Sequence, residues 1–174
     1  MKKFTGKVFS LDDNVDTDQI LPGYAMSYPE NDLKNYTLKG SIIPEFPQLV
    51  KGGDIIVAGE NFGCGSSREQ APFALKESGV SVIIAKSFAR IFRRNAINIG
   101  LPVITCDQVH QIQEDMDKED LFEVDIKFLT VKNLSKNKTY SLNGLTNVTL
   151  ETLQAGGLMN KVIKKLEEKG CHNG

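Results

Sequence analysis

Residues 59–67, GENFGCGSS, sit between two segments whose patterning leaves little choice of structure. Before them, residues 54–58 (DIIVA) follow a Gly52-Gly53 turn as an unbroken apolar run, the pattern of a strand buried on both faces. After them a helix is predicted from about Ser67 to Glu77, stopped by Gly79. Pro72 is tolerated only in a first helical turn, so the helix proper is expected from near Ala71. Residues 80–85 (VSVIIA) give a second apolar strand, Ser87 can cap a helix running to about Ala96, and residues 101–105 follow Gly100 as a third strand. Strand, loop, helix, strand, helix, strand specifies an α/β unit, because parallel neighbours need a crossover between them.

The flanks read differently. Residues 4–9 (FTGKVF) are expected as an opening strand and residues 12–18 as an acidic loop. Residues 24–48 carry Pro29, Gly40, Pro44 and Pro47 and little periodicity, with at most a helical turn near Leu33. A long irregular stretch in a chain of 174 residues points to a binding loop. Residues 107–120 are polar and read as poorly structured. Residues 121–128 and 129–133 read as strands, and residues 139–142 return after a Ser135–Lys138 turn as a hairpin. A short helix is expected from Thr149 to the Gly156-Gly157 stop, then an amphipathic helix over 158–168. The whole chain, 1–174, reads as a single domain with an α/β centre and β additions.

Composition excludes several classes. The 21 Lys and Arg against 22 Asp and Glu leave a net charge of -1, without the excess that a nucleic-acid backbone requires. Asp12 and Asp13 interrupt the N-terminus before any apolar run, so neither a secretory signal nor a membrane span is expected and the chain reads as cytoplasmic. Three widely spaced cysteines, Cys64, Cys106 and Cys171, do not form a disulfide framework. His110 and His172 lack metal-ligand spacing to them, Cys171 beside His172 at the tail aside, so no metal site is expected on this chain.

In the loop, Gly63 and Gly65 bracket Cys64 and allow a sharp turn at a strand end. Ser66, Ser67 and Arg68 then fall at or near a helix N-terminus, where free N–H groups favour an anion. Arg68 adds a planar carboxylate or phosphate ligand. Three readings stay open: a serine that merely caps, with Glu69 pairing Arg68; a phosphate or nucleotide cradle; and a carboxylate site built around a serine. A P-loop is excluded because GK[ST] is missing at the required offset. Cys64 lacks a nearby histidine and reads as a small side chain in a tight turn. Asp12, Asp13, Asp16 and Asp18 read as a turn with local Asx bonds, or as a source of one orienting carboxylate; the Gly and Glu of a calcium loop are missing. Arg90 and Arg94 share a helix face that is either solvated or in contact with a partner or anion.

These segments together resemble the small subunit of 3-isopropylmalate dehydratase, equivalent to the swivel domain of aconitase. The resemblance rests on residues 16–20 (DTDQI), 61–69 (NFGCGSSRE), Ala71-Pro72, 86–92 (KSFARIF), 94–102 (RNAINIGLP) and 156–158 (GGL). It implies a swivelling three-layer β/β/α domain and one subunit of a heteromeric hydro-lyase that isomerises a 2-hydroxy acid by dehydration and rehydration. It implies Ser66 as the base that removes the substrate proton. Ser67 and Arg68, with Gly65, would bind substrate carboxylate, and Asp18 would pair with a histidine of the large subunit. The [4Fe-4S] cluster is implied on that large subunit, with no cofactor on this chain.

The substrate loop departs from the family. Residues 22–48 form the substrate-loop region, and where relatives commonly place an arginine this chain has Tyr24, Ala25, Met26 and Ser27, with Lys34 the nearest basic residue beyond. Gln70 stands where many relatives have histidine. An apolar loop suits an alkyl-bearing acid, 3-isopropylmalate or 2,3-dimethylmalate, whereas homoaconitate or citrate would want a fixed cation there. Citramalate is a further alternative, and a carboxylate-binding regulatory module is the non-enzymatic one.

Overall fold

The computed structural model describes residues 3–172, the side chains of Cys171 and His172 aside. Seven strands form one sheet in the order β4-β3-β2-β1-β5-β6-β7. They are β1 (Lys3–Ser10), β2 (Ile55–Ala58), β3 (Val82–Ala85), β4 (Val103–Thr105), β5 (Leu121–Asp125), β6 (Thr130–Asn133) and β7 (Lys138–Ser141). β1 through β4 pair in parallel, with Ile56 opposite Phe9 and Ile83 opposite Ile56. β5 turns back antiparallel against the other edge of β1, and β6 and β7 continue as a meander.

The apolar runs explain the central strands. Every residue of β2 and β3 is fully buried, as parallel strands covered on both faces demand. Alternate residues face two different cores. Ile56, Ala58, Ile83 and Ala85 pack with Ala71, Leu75, Phe92 and Ala96 of the crossover helices α3 (Gln70–Glu77) and α4 (Arg90–Asn98). Ile55, Val57, Val82 and Ile84 pack instead with Phe122, Val124, Val131 and Tyr140 of the antiparallel strands. The sheet therefore curls so that its antiparallel half covers one face of its parallel half while helices cover the other. That is the β/β/α layering expected from the resemblance. Because the strands step in one direction, β2 to β3 to β4, both crossovers lie on the same face.

Local details depart from the sequence reading in three places. Residues 107–120 contain a helix, α5 (Val109–Asp115), in which Val109 and Ile112 are buried and Met116 packs beside them. The i, i+3, i+7 spacing of those three residues was the signal, masked by the surrounding charges. Ser87 does not cap α4: Ala89 occupies the N-cap without a side-chain bond, and the Ser87 hydroxyl accepts from the Asn61 N–H at 2.8 Å. Residues 22–48 are ordered by two 3-10 segments, Gly23–Ser27 and Glu30–Tyr36, and a short helix, α2 (Phe46–Leu49), following α1 (Thr17–Ile20). At the other end α6 (Asn147–Ala155) is capped by Thr146 and closed by Gly156 in the left-handed conformation, ahead of α7 (Leu158–His172). Pro72 stands in the first turn of α3, as its missing N–H requires. Among the described residues no helix is long and apolar enough to cross a membrane.

Candidate functional site

The glycine-serine loop leaves the carboxyl end of β2, where open α/β sheets place their ligands. Backbone bonds fix it on both sides. On one side Gly63 N–H donates to Val15 carbonyl at 2.8 Å and Thr17 N–H donates to Cys64 carbonyl at 2.9 Å. On the other, Phe62 N–H donates to Ser87 carbonyl at 3.1 Å and Ala89 N–H donates to Phe62 carbonyl at 2.9 Å. The loop thus continues the parallel sheet one rung past its strands, through bridges Asp16 to Cys64 and Phe62 to Phe88.

Side chains lock this frame to α4. The Phe62 ring lies edge-on to Phe92 at 5.3 Å and to Phe88 at 6.0 Å. Phe62 and Phe92 are almost completely buried, each contributing about 1.5–3 kcal/mol by leaving water. Gly63 is required here: its φ is +85°, and a Cβ would overlap the Phe92 ring.

The acidic loop turns out to be structural and orienting at once. Asp16 accepts from the Gln19 N–H at 2.8 Å and caps α1, while Asp13 accepts from the Glu60 N–H at 2.7 Å. α1 carries Asp18 toward Arg68, and the two side chains meet at 2.6 Å. Arg68 also donates to the Leu21 carbonyl at 2.9 Å. Arg68 therefore does not pair with Glu69, the local partner the capping reading had offered. Nor do Ser66 and Ser67 cap α3, whose N-cap is Glu69 without a side-chain bond. Both serines are exposed, and among the described residues neither hydroxyl is hydrogen-bonded within the chain.

The serines open onto a cleft of about 470 Å³. One wall is Gly63, Gly65, Ser66, Ser67 and Arg68; the facing wall is the first turns of α4, including Arg90, Ile91, Arg94 and Asn95. Arg90 and Arg94 are thus part of the candidate site, a placement that helical spacing alone left open. The lining holds three arginines and two serines and, among the described residues, no carboxylate. Such a basin attracts a small anion and would stabilise negative charge developing on an oxygen within it.

The substrate-loop residues lie apart from this lining. Ala25 is fully buried against Leu21, Leu33 and Ala74, so its side chain is a core group rather than a contact for a substrate. Tyr24, Met26 and Ser27 are exposed, with the Ser27 hydroxyl donating to the Tyr24 carbonyl at 2.9 Å. The loop approaches the site through Gly23, where a Cβ would stand 3.6 Å from the Arg68 guanidinium and 3.9 Å from the Asp18 carboxylate. Gln70 opens α3 and is exposed, outside the cleft lining. Cys64 is half-buried and outside the lining too; Cys106 is buried, its thiol pushed up by desolvation and donating to the Ser141 carbonyl. Among the described residues no group of three or more His, Cys, Asp or Glu side chains could hold a metal ion.

The β/β/α domain is the class of fold that comparison with known proteins also finds. The aconitase C-terminal domain model matches residues 25–109, the stretch that holds this loop and α4. A 3-isopropylmalate dehydratase small subunit from Hydrogenobaculum is 48% identical over 92% of this chain and 96% of its own length. A methanogen homoaconitase small subunit from Methanothermobacter thermautotrophicus is 47% identical over 93% of this chain and 92% of its own. An isopropylmalate/citramalate isomerase small subunit from Methanocaldococcus jannaschii is 46% identical over 94% and 95%. The crystal structure of 3-isopropylmalate dehydratase (LeuD) from Methanocaldococcus jannaschii superposes with a TM-score of 0.89 at 41% identity, covering 99% of this chain and all of that one. The chain belongs to the aconitase C-terminal domain family, among the 3-isopropylmalate dehydratase small subunits.

Proposed function

We propose that this chain is the small subunit of a 3-isopropylmalate dehydratase, a hydro-lyase that interconverts 3-isopropylmalate and 2-isopropylmalate by dehydration and rehydration in the cytoplasm, in leucine biosynthesis. Residues 1–174 then act as one swivel domain closing on a large subunit, with residues 22–48 as its substrate-loop region. The observation that carries the reading is the cleft: its lining holds two serines that do not cap α3, three arginines and, among the described residues, no carboxylate.

A serine is an ordinary base only as its alkoxide, and an alkoxide needs fixed positive charge. Ser66 is assigned that role: it takes the proton from the carbon beside a substrate carboxylate and returns it to the neighbouring carbon on rehydration. Ser67, Arg68 and the Gly65 backbone hold a carboxylate, and Asp18 fixes the Arg68 guanidinium through the 2.6 Å pair. Asp18 is 66% exposed, which supports a second contact, with a histidine of the large subunit. The [4Fe-4S] cluster on the large subunit supplies, when bound, the Lewis acid for the departing hydroxyl.

Reconstitution with the large subunit tests the reading. The free chain is expected to be inactive and the complex active on 3-isopropylmalate. Ser66→Ala is expected to lower turnover by about 10²–10⁴-fold without weakening assembly. A fully active Ser66→Ala complex would remove the serine from the chemistry. Tight binding of small carboxylates to the free chain, with no activity in any complex, would favour a regulatory module instead.

A second reading keeps the machine and changes the acid. Similar chains include a homoaconitase small subunit and an isopropylmalate/citramalate isomerase small subunit, so citramalate, homoaconitate, citrate and 2,3-dimethylmalate belong in the substrate panel. The loop Tyr24–Ser27 carries no cation, which favours the alkyl-bearing acids.

A further inference from the structure

The helix that carries Asp18, α1 (Thr17–Ile20), is four residues long, too short to hold its place by its own hydrogen bonds. It cannot lengthen, because the residue that would bond the Asp18 carbonyl is Pro22, which has no N–H. Its N-terminus is fixed by the bond from the Thr17 N–H to the Cys64 carbonyl. Its other end is fixed by residues 38–40, inside the substrate-loop region.

The Leu38 N–H donates to the Ile20 carbonyl at 2.7 Å, satisfying a terminal acceptor of α1. Gly40 lies against the Asp18–Gln19 peptide: a Cβ there would stand 2.7 Å from the Asp18 carbonyl oxygen and 3.1 Å from the Gln19 Cα. A strained backbone delivers this approach. Leu38 has φ +61°, a left-handed conformation that crowds its Cβ against the following carbonyl. Its side chain is nonetheless fully buried, in the core that holds Ile20 and Phe46. Its carbonyl accepts from the Ser41 N–H at 3.0 Å and from the Ser41 hydroxyl at 2.7 Å, closing the turn. A leucine at positive φ persists only where its surroundings over-determine it, and such strain gathers at functional sites.

We propose that Leu38 and Gly40 are positioning residues for Asp18: the 38–40 clasp holds α1 where the Asp18 carboxylate reaches the Arg68 guanidinium. Residues 22–48 then act on the site through Asp18, and not only through the exposed side chains of Tyr24, Met26 and Ser27. The effect on turnover rests on the dehydratase reading; the effect on the Asp18–Arg68 pair does not.

The first experiment uses the full chain without the large subunit. Heteronuclear NMR follows the side-chain N–H resonances of Arg68, which in the wild type is held by Asp18 and by the Leu21 carbonyl. Gly40→Ala is expected to shift and broaden these resonances as Asp18→Asn does. Gly52→Ala is the control, because a Cβ at Gly52 meets nothing within 4 Å, and it should leave them in place. Ser41→Ala removes only the hydroxyl bond to Leu38 and should shift them the same way by less. Thermal unfolding establishes that each variant is folded. Arg68 resonances that stay at their wild-type positions in folded Gly40→Ala overturn the proposal. If Gly40→Ala does not fold, unmoved resonances in Ser41→Ala overturn it.

The second experiment is a double-mutant cycle on the complex with the large subunit. Gly40→Ala is expected to lower kcat/KM for 3-isopropylmalate by about 10-fold or more, as a less ordered Arg68 would. In the Asp18→Asn background the same change should cost no more than about threefold, because the pair it positions is already gone. Losses that multiply overturn the proposal, since a general disturbance of the fold would act equally in both backgrounds. A wild-type complex inactive on every acid of the panel refutes the dehydratase reading alone, and the Arg68 resonances then decide the clasp.

Discussion

The Asp18 carboxylate and the Arg68 guanidinium meet at 2.6 Å, joining the short helix α1 to the glycine-serine loop. Both segments are held independently by backbone bonds, Thr17 to Cys64 and Gly63 to Val15, so the pair orients a group on a frame that is already built. Asp18→Asn is therefore expected to change function more than stability. Because Asp18 is largely exposed, unfolding free energy should move by less than about 1 kcal/mol. The reconstituted complex should lose about 10–100-fold in kcat/KM through a less ordered Arg68. Chemical denaturation and steady-state kinetics on the same variant check both halves; a large stability loss would show the pair to be a structural brace.

Gly63 and Gly144 offer a matched test of the loop's backbone. Gly63 has φ +85° and no room for a Cβ beside Phe92, whereas a Cβ at Gly144 would make only an ordinary 3.9 Å contact with Leu129. Gly63→Ala is expected to cost about 2–5 kcal/mol, left-handed strain adding to overpacking. Gly144→Ala should stay within about 0.5 kcal/mol. Urea unfolding midpoints at matched m-values separate the two.

Stability should fall at both ends of the pH scale, through the antiparallel half of the sheet. Asp120 accepts from Asn133 at 2.8 Å and from the Asp117 N–H at 2.9 Å, and these bonds, with Lys136, hold its carboxyl below the usual range. Its folded pKa is depressed, so its contribution is complete above about 3.9 and disappears as pH falls through the lower folded value. Tyr140 is pushed up to about 12 by burial and by its bond to Asp115. Its contribution is complete below about 10 and disappears as pH rises toward 12. Thermal midpoints of Asp120→Asn and Tyr140→Phe should show flatter acid and alkaline limbs, respectively, than the parent; an unchanged limb would remove that residue from the account.

Met26 tests the substrate loop. It is exposed beside a loop that reaches Arg68 and Asp18 through Gly23, and no cation stands among Tyr24, Ala25, Met26 and Ser27. Met26→Arg should lower kcat/KM for 3-isopropylmalate and raise it for homoaconitate, moving the ratio by about 10-fold or more toward the extra carboxylate. A substrate panel that keeps its original ratio would place specificity elsewhere. Tyr24→Ala adds a second point, because Tyr24 packs edge-on to Tyr36 at 5.9 Å and its removal loosens the same segment.

The amino-acid order alone determined the alternation of apolar strands and crossover helices between residues 54 and 105, the β-hairpin near the C-terminus, and the family to which the GSSRE and KSFARIF segments belong. Those are short-range signals: strand burial, turn glycines and motif spacing are written within a few residues of one another. Only the tertiary structure decided that Ala25 is core, that α5 folds on Val109 and Ile112, and that Ser66 and Ser67 leave α3 uncapped. It alone brought Asp18 to Arg68 and turned Arg90 and Arg94 from a helix face into a cleft wall. Each of these depends on which distant segments the curled sheet lays side by side, and a contact between distant segments leaves no periodicity in the chain that makes it.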